Sequence, residues 1–127
     1  MLKDKEKDTA PIELTRDSEL TIVEFNVRKL LEENEITEMG RQLTSYIESQ
    51  LKPKIIISFA GVDHLSSSAL GTLITVNYKV RERDGQLRLC SINPQIYEVF
   101  LITKLNKLFR IFPTMEEAKA SLEKPSS

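Results

Sequence analysis

The side chains of this 127-residue chain that could do chemistry gather in one stretch: Asp63, His64 and three successive hydroxyls, Ser66, Ser67 and Ser68. Aspartate, histidine and serine together suggest a hydrolytic relay. The members of such a relay converge from different parts of a fold with the imidazole between the other two, which neighbours on one short loop rarely do. His64 is the only histidine, no G-x-S-x-G elbow surrounds the serines, and four glycines are too few for the familiar phosphate-cradling loops. Cys90 is the only cysteine, so no internal disulfide can form and a metal site would need carboxylates around His64. The expectation is therefore a non-enzyme with no catalytic residue, no metal and no cofactor. His64 reads as a partly exposed loop residue, and Cys90 as a buried, inert thiol in a strand.

The serines have a plain structural use. A hydroxyl before a helix accepts a hydrogen bond from an orphan backbone N–H, worth about 1 kcal/mol, but this needs only one serine. Projected at about 100° per residue, Ser68, Thr72, Thr75, Lys79 and Glu82 form a polar stripe opposite the apolar side of one helix, and the stripe begins at a phosphorylatable hydroxyl. Asn77 projects into the apolar sector and must find a hydrogen-bond partner or lie at its margin. Lys79, Arg81, Arg83 and Arg88 are scattered over a helix and a strand and read as solvated surface.

The elements that must position the serines follow from periodicity. Ile12 to Arg16 and Leu20 to Asn26, joined by Asp17-Ser18-Glu19, have the pattern of an antiparallel hairpin. From about Glu33, Ile36, Met39, Leu43, Ile47 and Leu51 recur at helical steps. Ile55-Ile56-Ile57-Ser58-Phe59 is apolar on both faces, as a covered central strand requires. The helix opening at the serines buries Leu70, Leu73, Ile74 and Val80 and stops at Asp84-Gly85. Gln86 to Ile92 is the next strand, and Asn93-Pro94 caps a helix through Ile96, Val99 and Phe100. Leu108 to Phe112 returns to the sheet, and Thr114 to Glu117 is a capping box for a last helix through Ala118 and Leu122. The fold class is α/β: an N-terminal antiparallel hairpin, then alternating strands and helices, giving a mixed sheet with helices packed on it.

Length and 40% hydrophobic content suit one domain, 11–123, between a charged arm, 1–10, and a polar tail, 124–127, both expected to be disordered. The formal net charge of −1 gives no reason to expect a nucleic-acid partner, and no run approaches the roughly 20 apolar residues of a membrane span. A cytoplasmic protein with a protein partner and no membrane insertion is expected.

Ile55-Ile56-Ile57-Ser58-Phe59-Ala60-Gly61-Val62, followed by Leu65-Ser66-Ser67-Ser68-Ala69-Leu70-Gly71-Thr72-Leu73, resembles the signature of STAS domains, nearest to the anti-sigma factor antagonists. The resemblance runs from about Ile12 to Leu122. In that subgroup a central strand leads to a loop of aspartate, two hydroxyl residues, glycine, aliphatic, glycine that opens a helix, and the partner kinase phosphorylates the second hydroxyl. That position corresponds to Ser68, with Ser67 as the alternative. The resemblance implies partner binding through Ser66, Ser67, Ser68, Thr72, Thr75 and Lys79. The implied partner is an anti-sigma factor with a serine-kinase ATPase fold; its capture frees a sigma factor, phosphorylation ends it, and a serine phosphatase resets the switch. Ser66 stands where the family has aspartate, Ala69 where it commonly has glycine, and Ser58 where an aspartate often ends the strand. The alternatives are a non-switching scaffold of a signalling assembly, an accessory subunit of an ABC-type lipid transporter, and, last, a small-molecule or nucleotide-binding domain.

Overall fold

The computed structural model describes residues 10–123, so nearly all of the expected arm and the whole expected tail lie outside the described residues. Strands β1 (Ile12–Asp17) and β2 (Leu20–Phe25) form the expected antiparallel hairpin, with Leu14 opposite Val23 and Ser18 in the left-handed turn position. The chain entering β1 is tied down by Asn26, whose backbone N–H donates to Pro11 O at 2.8 Å and whose Nδ2 donates to Ala10 O at 3.0 Å. A two-residue strand β3 (Lys29–Leu30) precedes helix α1 (Glu33–Glu48), and β4 (Lys54–Ser58) follows. A second short strand, β5 (His64–Leu65), leads into α2 (Ser67–Glu82), then come β6 (Gln86–Cys90), α3 (Pro94–Ile102), a 3-10 turn at Leu105–Lys107, β7 (Arg110–Phe112) and α4 (Met115–Glu123).

The main sheet has the order β1-β2-β4-β6-β7, antiparallel at the hairpin and parallel from β2 onward. β4 is its centre, as its two-faced apolar run predicts. Ile55 and Ile57 point into the larger core with Val23, Leu87 and Leu89, against Met39 and Leu43 of α1, Leu73 and Val80 of α2, and Phe100 of α3. Ile56 points the other way, into a smaller core with Leu20, Cys90 and the Ala118 and Leu122 of α4. All three isoleucines are fully buried, each worth about 1.5–3 kcal/mol against exposure. Helices α1 to α3 therefore cover one face and α4 the other.

Several boundaries differ from expectation, each for a local reason. α1 stops at Glu48, and Ser49 and Gln50 turn back onto Tyr46 O and Ile47 O at 3.1 Å. Leu51 thus leaves the buried face and is 90% exposed, because Pro53 keeps the residue before it out of helical geometry. β6 ends at Cys90 and not Ile92, since Ser91 turns left-handed. Leu108 and Phe109 stay out of the last strand; Phe109 instead stacks edge-on against Phe100, centroids 5.8 Å apart. Within α3, Ile96 and Phe100 are buried but Val99 is exposed. Within α2, Leu70, Leu73 and Val80 are buried and Ile74 is half-buried. The cap expected for α3 forms, Asn93 Oδ1 accepting from Ile96 N at 2.8 Å. Of the capping box expected for α4 the Thr114 half forms, its Oγ1 accepting from Glu117 N at 3.2 Å, without a return bond to the Glu117 carboxylate among the described residues.

Candidate functional site

The Ser66–Ser68 segment sits at the carboxyl edge of the sheet, beyond the end of β4, and its backbone is held from two sides. Phe59 N donates to Cys90 O at 2.9 Å, Gly61 takes a left-handed turn at φ 85°, and Val62 N donates to Phe59 O. The chain then runs parallel to β3, with Lys29 opposite His64 and Leu30 opposite Leu65, before Ser66 N donates to Leu30 O at 3.2 Å. From the other side Asn93 Nδ2 donates to Val62 O at 3.0 Å, so the residue that caps α3 also fixes the approach to α2. Two short strands, invisible to periodicity, form this clamp.

Ser66 is the N-cap of α2: its Oγ accepts from Ala69 N at 3.1 Å and its backbone is extended. Ser67 is exposed and Ser68 half-buried. Among the described residues neither commits its hydroxyl to an intramolecular hydrogen bond. The first turn of α2 contains no acidic residue, so the positive end of the helix dipole is left uncompensated there.

The polar stripe read from sequence is only partly a free face. Thr75 and Glu82 are exposed, but Ser68, Thr72 and Lys79 are half-buried. α1 lies against that flank: a Cβ built at Gly40 would stand 3.1 Å from Thr72 Cγ2. The outermost line of α2 is instead Ser67, Gly71, Thr75, Tyr78 and Glu82. Tyr78, 53% exposed, is the residue that the sequence reading missed; the 100° projection could not say which flank a neighbouring helix would take. Asn77 is buried, not marginal, and its Nδ2 finds no partner among the described residues. A groove of about 200 Å³ opens beside the serines, lined by Asp63, His64 and Leu65 on one wall and Gln95, Ile96 and Val99 of α3 on the other.

Asp63, His64 and Ser66 do not assemble into a relay. The Asp63 carboxylate is taken by Arg28, at 2.5 Å from one guanidinium nitrogen and 3.0 Å from Nε, and His64 is exposed. No group of three His, Cys, Asp or Glu placed to hold a metal occurs among the described residues. Cys90 is fully buried, and burial pushes its thiol pKa up, with hydrogen bonds to Ser91 and Ser58 opposing.

Arg88 corrects an expectation. It is 6% exposed, not surface, because α4 covers it: Nε donates to Ser121 Oγ at 2.8 Å and a terminal nitrogen to Leu87 O at 3.2 Å. Burial, then the neighbouring Arg110, lower its pKa. Arg83 donates to Gln50 O at 2.9 Å, and Arg81 is exposed.

Comparison with known proteins agrees with this geometry. A candidate anti-sigma factor antagonist of Bordetella bronchiseptica, BtrV, is 27% identical over 87 residues, covering 66% of this chain and 75% of that protein. An anti-sigma-factor antagonist (STAS) domain protein from Planctomyces limnophilus superposes with a TM-score of 0.81 at 23% identity, over 89% of this chain and 98% of the other. The Bacillus cell fate determinant SpoIIAA in its phosphorylated form superposes with a TM-score of 0.67 at 18% identity, over 88% and 99%. At these identities the two structures speak to fold. The sequence model of the STAS domain family matches residues 16–118, most of the chain and every element from β2 to β7; the chain belongs to the STAS domain family.

Proposed function

We propose that this protein is an anti-sigma factor antagonist: it binds an anti-sigma factor of serine-kinase ATPase fold through Ser66, Ser67, Ser68 and the outer side of α2, and phosphorylation at Ser68 ends the binding. Thr72, Thr75 and Lys79 contribute to the contact, and a serine phosphatase restores it. The observation that carries this reading is the clamped serine loop, which offers two uncommitted hydroxyls at a helix start. The relatives named as anti-sigma factor antagonists support it, as does SpoIIAA, which is named an anti-sigma factor antagonist in its unphosphorylated form and also exists in a phosphorylated one.

The physics of the switch favours loss of binding over loss of fold. Phosphate adds about −1.5 to −2 charges, and a helix N-terminus favours negative charge by about 0.3–1 kcal/mol. A docked partner must desolvate the same charge, and an unpaired buried charge costs several kcal/mol; about 2.8 kcal/mol is already a hundredfold in affinity. Ser68→Asp is therefore expected to weaken partner binding at least tenfold with little change in the urea midpoint, while Ser68→Ala binds and resists phosphorylation. Incubation with the genomically adjacent kinase and ATP, followed by mass spectrometry, locates the modification. Phosphate on Ser67 alone moves the acceptor by one residue. No phosphate on either serine, with undiminished binding of Ser68→Asp, removes the switch. A non-switching STAS scaffold or transporter subunit would then remain, a reading favoured by Ser66 standing where the family has a carboxylate.

A further inference from the structure

The helices α1, α2 and α3 each join one parallel strand to the next on the same face of the sheet, so all three end at its amino edge, opposite the serine loop. That edge carries the two most exposed large apolar side chains among the described residues: Leu51, 90% exposed in the loop after α1, and Ile102, 76% exposed at the end of α3. Around them Lys52, Arg81, Lys104 and Lys107 are exposed and in no ion pair among the described residues. Among the described residues Glu48, Glu82 and Asp84 are exposed acids there, and the hairpin turn adds Asp17 and Glu19, which pair with Lys119 and Lys54. The carboxyl edge has the opposite character, with Glu32, Glu33 and Glu35 at the start of α1 and Glu116 and Glu117 at the start of α4. Helix dipoles account for this separation of charge. They do not account for aliphatic tips left in water among the cations.

We propose that the amino edge docks on an anionic lipid surface, with Leu51 and Ile102 entering the headgroup region and Lys52, Arg81, Lys104 and Lys107 pairing with its phosphates. The arrangement suits lipid better than a protein. Leu51 and Ile102 belong to different segments, the loop after α1 and the end of α3, and are two isolated aliphatic tips, whereas a stable protein interface needs a continuous complementary patch of about 800 Å² on each partner. A fluid bilayer accepts isolated side chains and cations in no fixed geometry. Lys52 beside Leu51 can lay its stem along the apolar boundary and keep its charge at the phosphates. Docked this way, the molecule turns the serine loop away from the lipid, so the surface is independent of the switch proposed above.

Vesicle co-sedimentation tests the proposal with the full chain. The bound fraction should be low on phosphatidylcholine vesicles, rise when phosphatidylglycerol is included, and fall with added salt, since screening shortens the reach of the cations. Leu51→Asp combined with Ile102→Asp should abolish sedimentation with an unchanged urea midpoint, both side chains being exposed in the folded state. Lys104→Gly separates binding from folding: Lys104 sits at φ 62°, a position that suits glycine, so the variant should melt at a higher temperature yet bind about fivefold more weakly. Ser68→Asp should sediment like the parent. Absence of binding to anionic vesicles overturns the proposal and leaves the edge to an acidic protein surface. Equal binding to neutral vesicles, or full binding by the double aspartate variant, overturns it as well.

Discussion

Ser66 fixes the first turn of α2 with a neutral oxygen where a carboxylate would add charge. Its single bond to Ala69 N gives a direct expectation: Ser66→Ala should cost about 0.5–2 kcal/mol. Ser66→Asp keeps the acceptor and places negative charge at a helix end that has no acid in its first turn, adding about 0.3–1 kcal/mol at low salt. Urea melts of the two variants check this. An unchanged midpoint in Ser66→Ala would mean that the β3 clamp alone holds the turn. Cys90 makes a second expectation. Its folded thiol titrates above the ordinary value because of burial, so the stabilisation it contributes is fully present below the unfolded pKa and is lost as pH rises through the folded one. Thermal melts from neutral to alkaline pH should fall more steeply for the parent than for Cys90→Ala; equal slopes would assign the loss to other groups. At this scale the sequence reveals what is local. The caps Ser66, Asn93 and Thr114 depend on residues three positions away and are readable. Arg88 is not: alternation along β6 assigns it an outer face, and only the return of α4 some thirty residues later covers that face.

Among the elements, the end of α2 shows how a familiar signal can be right about the place and wrong about the residue. Asp84-Gly85 marks the stop, but Asp84 takes the left-handed conformation, at φ 56°. Asp84 N returns to Arg81 O at 3.0 Å and Gly85 N to Val80 O at 2.9 Å, a Schellman pattern shifted one residue from the glycine. Gly85 is required for a different reason. A Cβ there would lie 2.4 Å from Pro53 O, in the loop entering β4, where Gln86 N also donates at 2.8 Å. Gly85→Ala should therefore be strongly destabilising, by about 2–4 kcal/mol through forced displacement of a packed loop, while Asp84→Gly should be neutral or stabilising by up to about 1 kcal/mol. The opposite order in chemical denaturation would restore Gly85 as the left-handed residue. Long periodic elements such as α1 and β4 were readable because one face, or both, is buried throughout. β3 and β5 were not: two residues carry no period, and they pair only because the loop after β4 passes the start of α1.

The whole molecule was readable as a hairpin followed by alternating strands and helices because each crossover is short and the burial pattern changes period at each boundary. What sequence could not assign was the layer to which each helix belongs. The helices connecting parallel strands all fall on one face, and the last, which connects to nothing further in the sheet, takes the other. The molecule consequently has two cores on opposite faces of the same strands: β2, β4 and β6 each serve both, and in β4 Ile57 lies in the larger and Ile56 in the smaller. Because neighbouring residues of β4 serve both, neither core can empty without displacing the strand that fills the other, and a single domain of this size should unfold in one step. The two sides carry their own reporters. Tyr46, Tyr78 and Tyr97 lie on α1, α2 and α3 and the chain has no tryptophan, so tyrosine fluorescence reports the larger side; Cys90 lies beneath α4 and its thiol reports the smaller. Urea titrations followed by tyrosine emission and by Cys90 alkylation should give coincident midpoints, and Ile56→Ala should move both together by about 2–4 kcal/mol. Alkylation of Cys90 at urea concentrations where tyrosine emission is still native would show that α4 opens as a separate unit, and that the sharing of β4 does not couple the two faces.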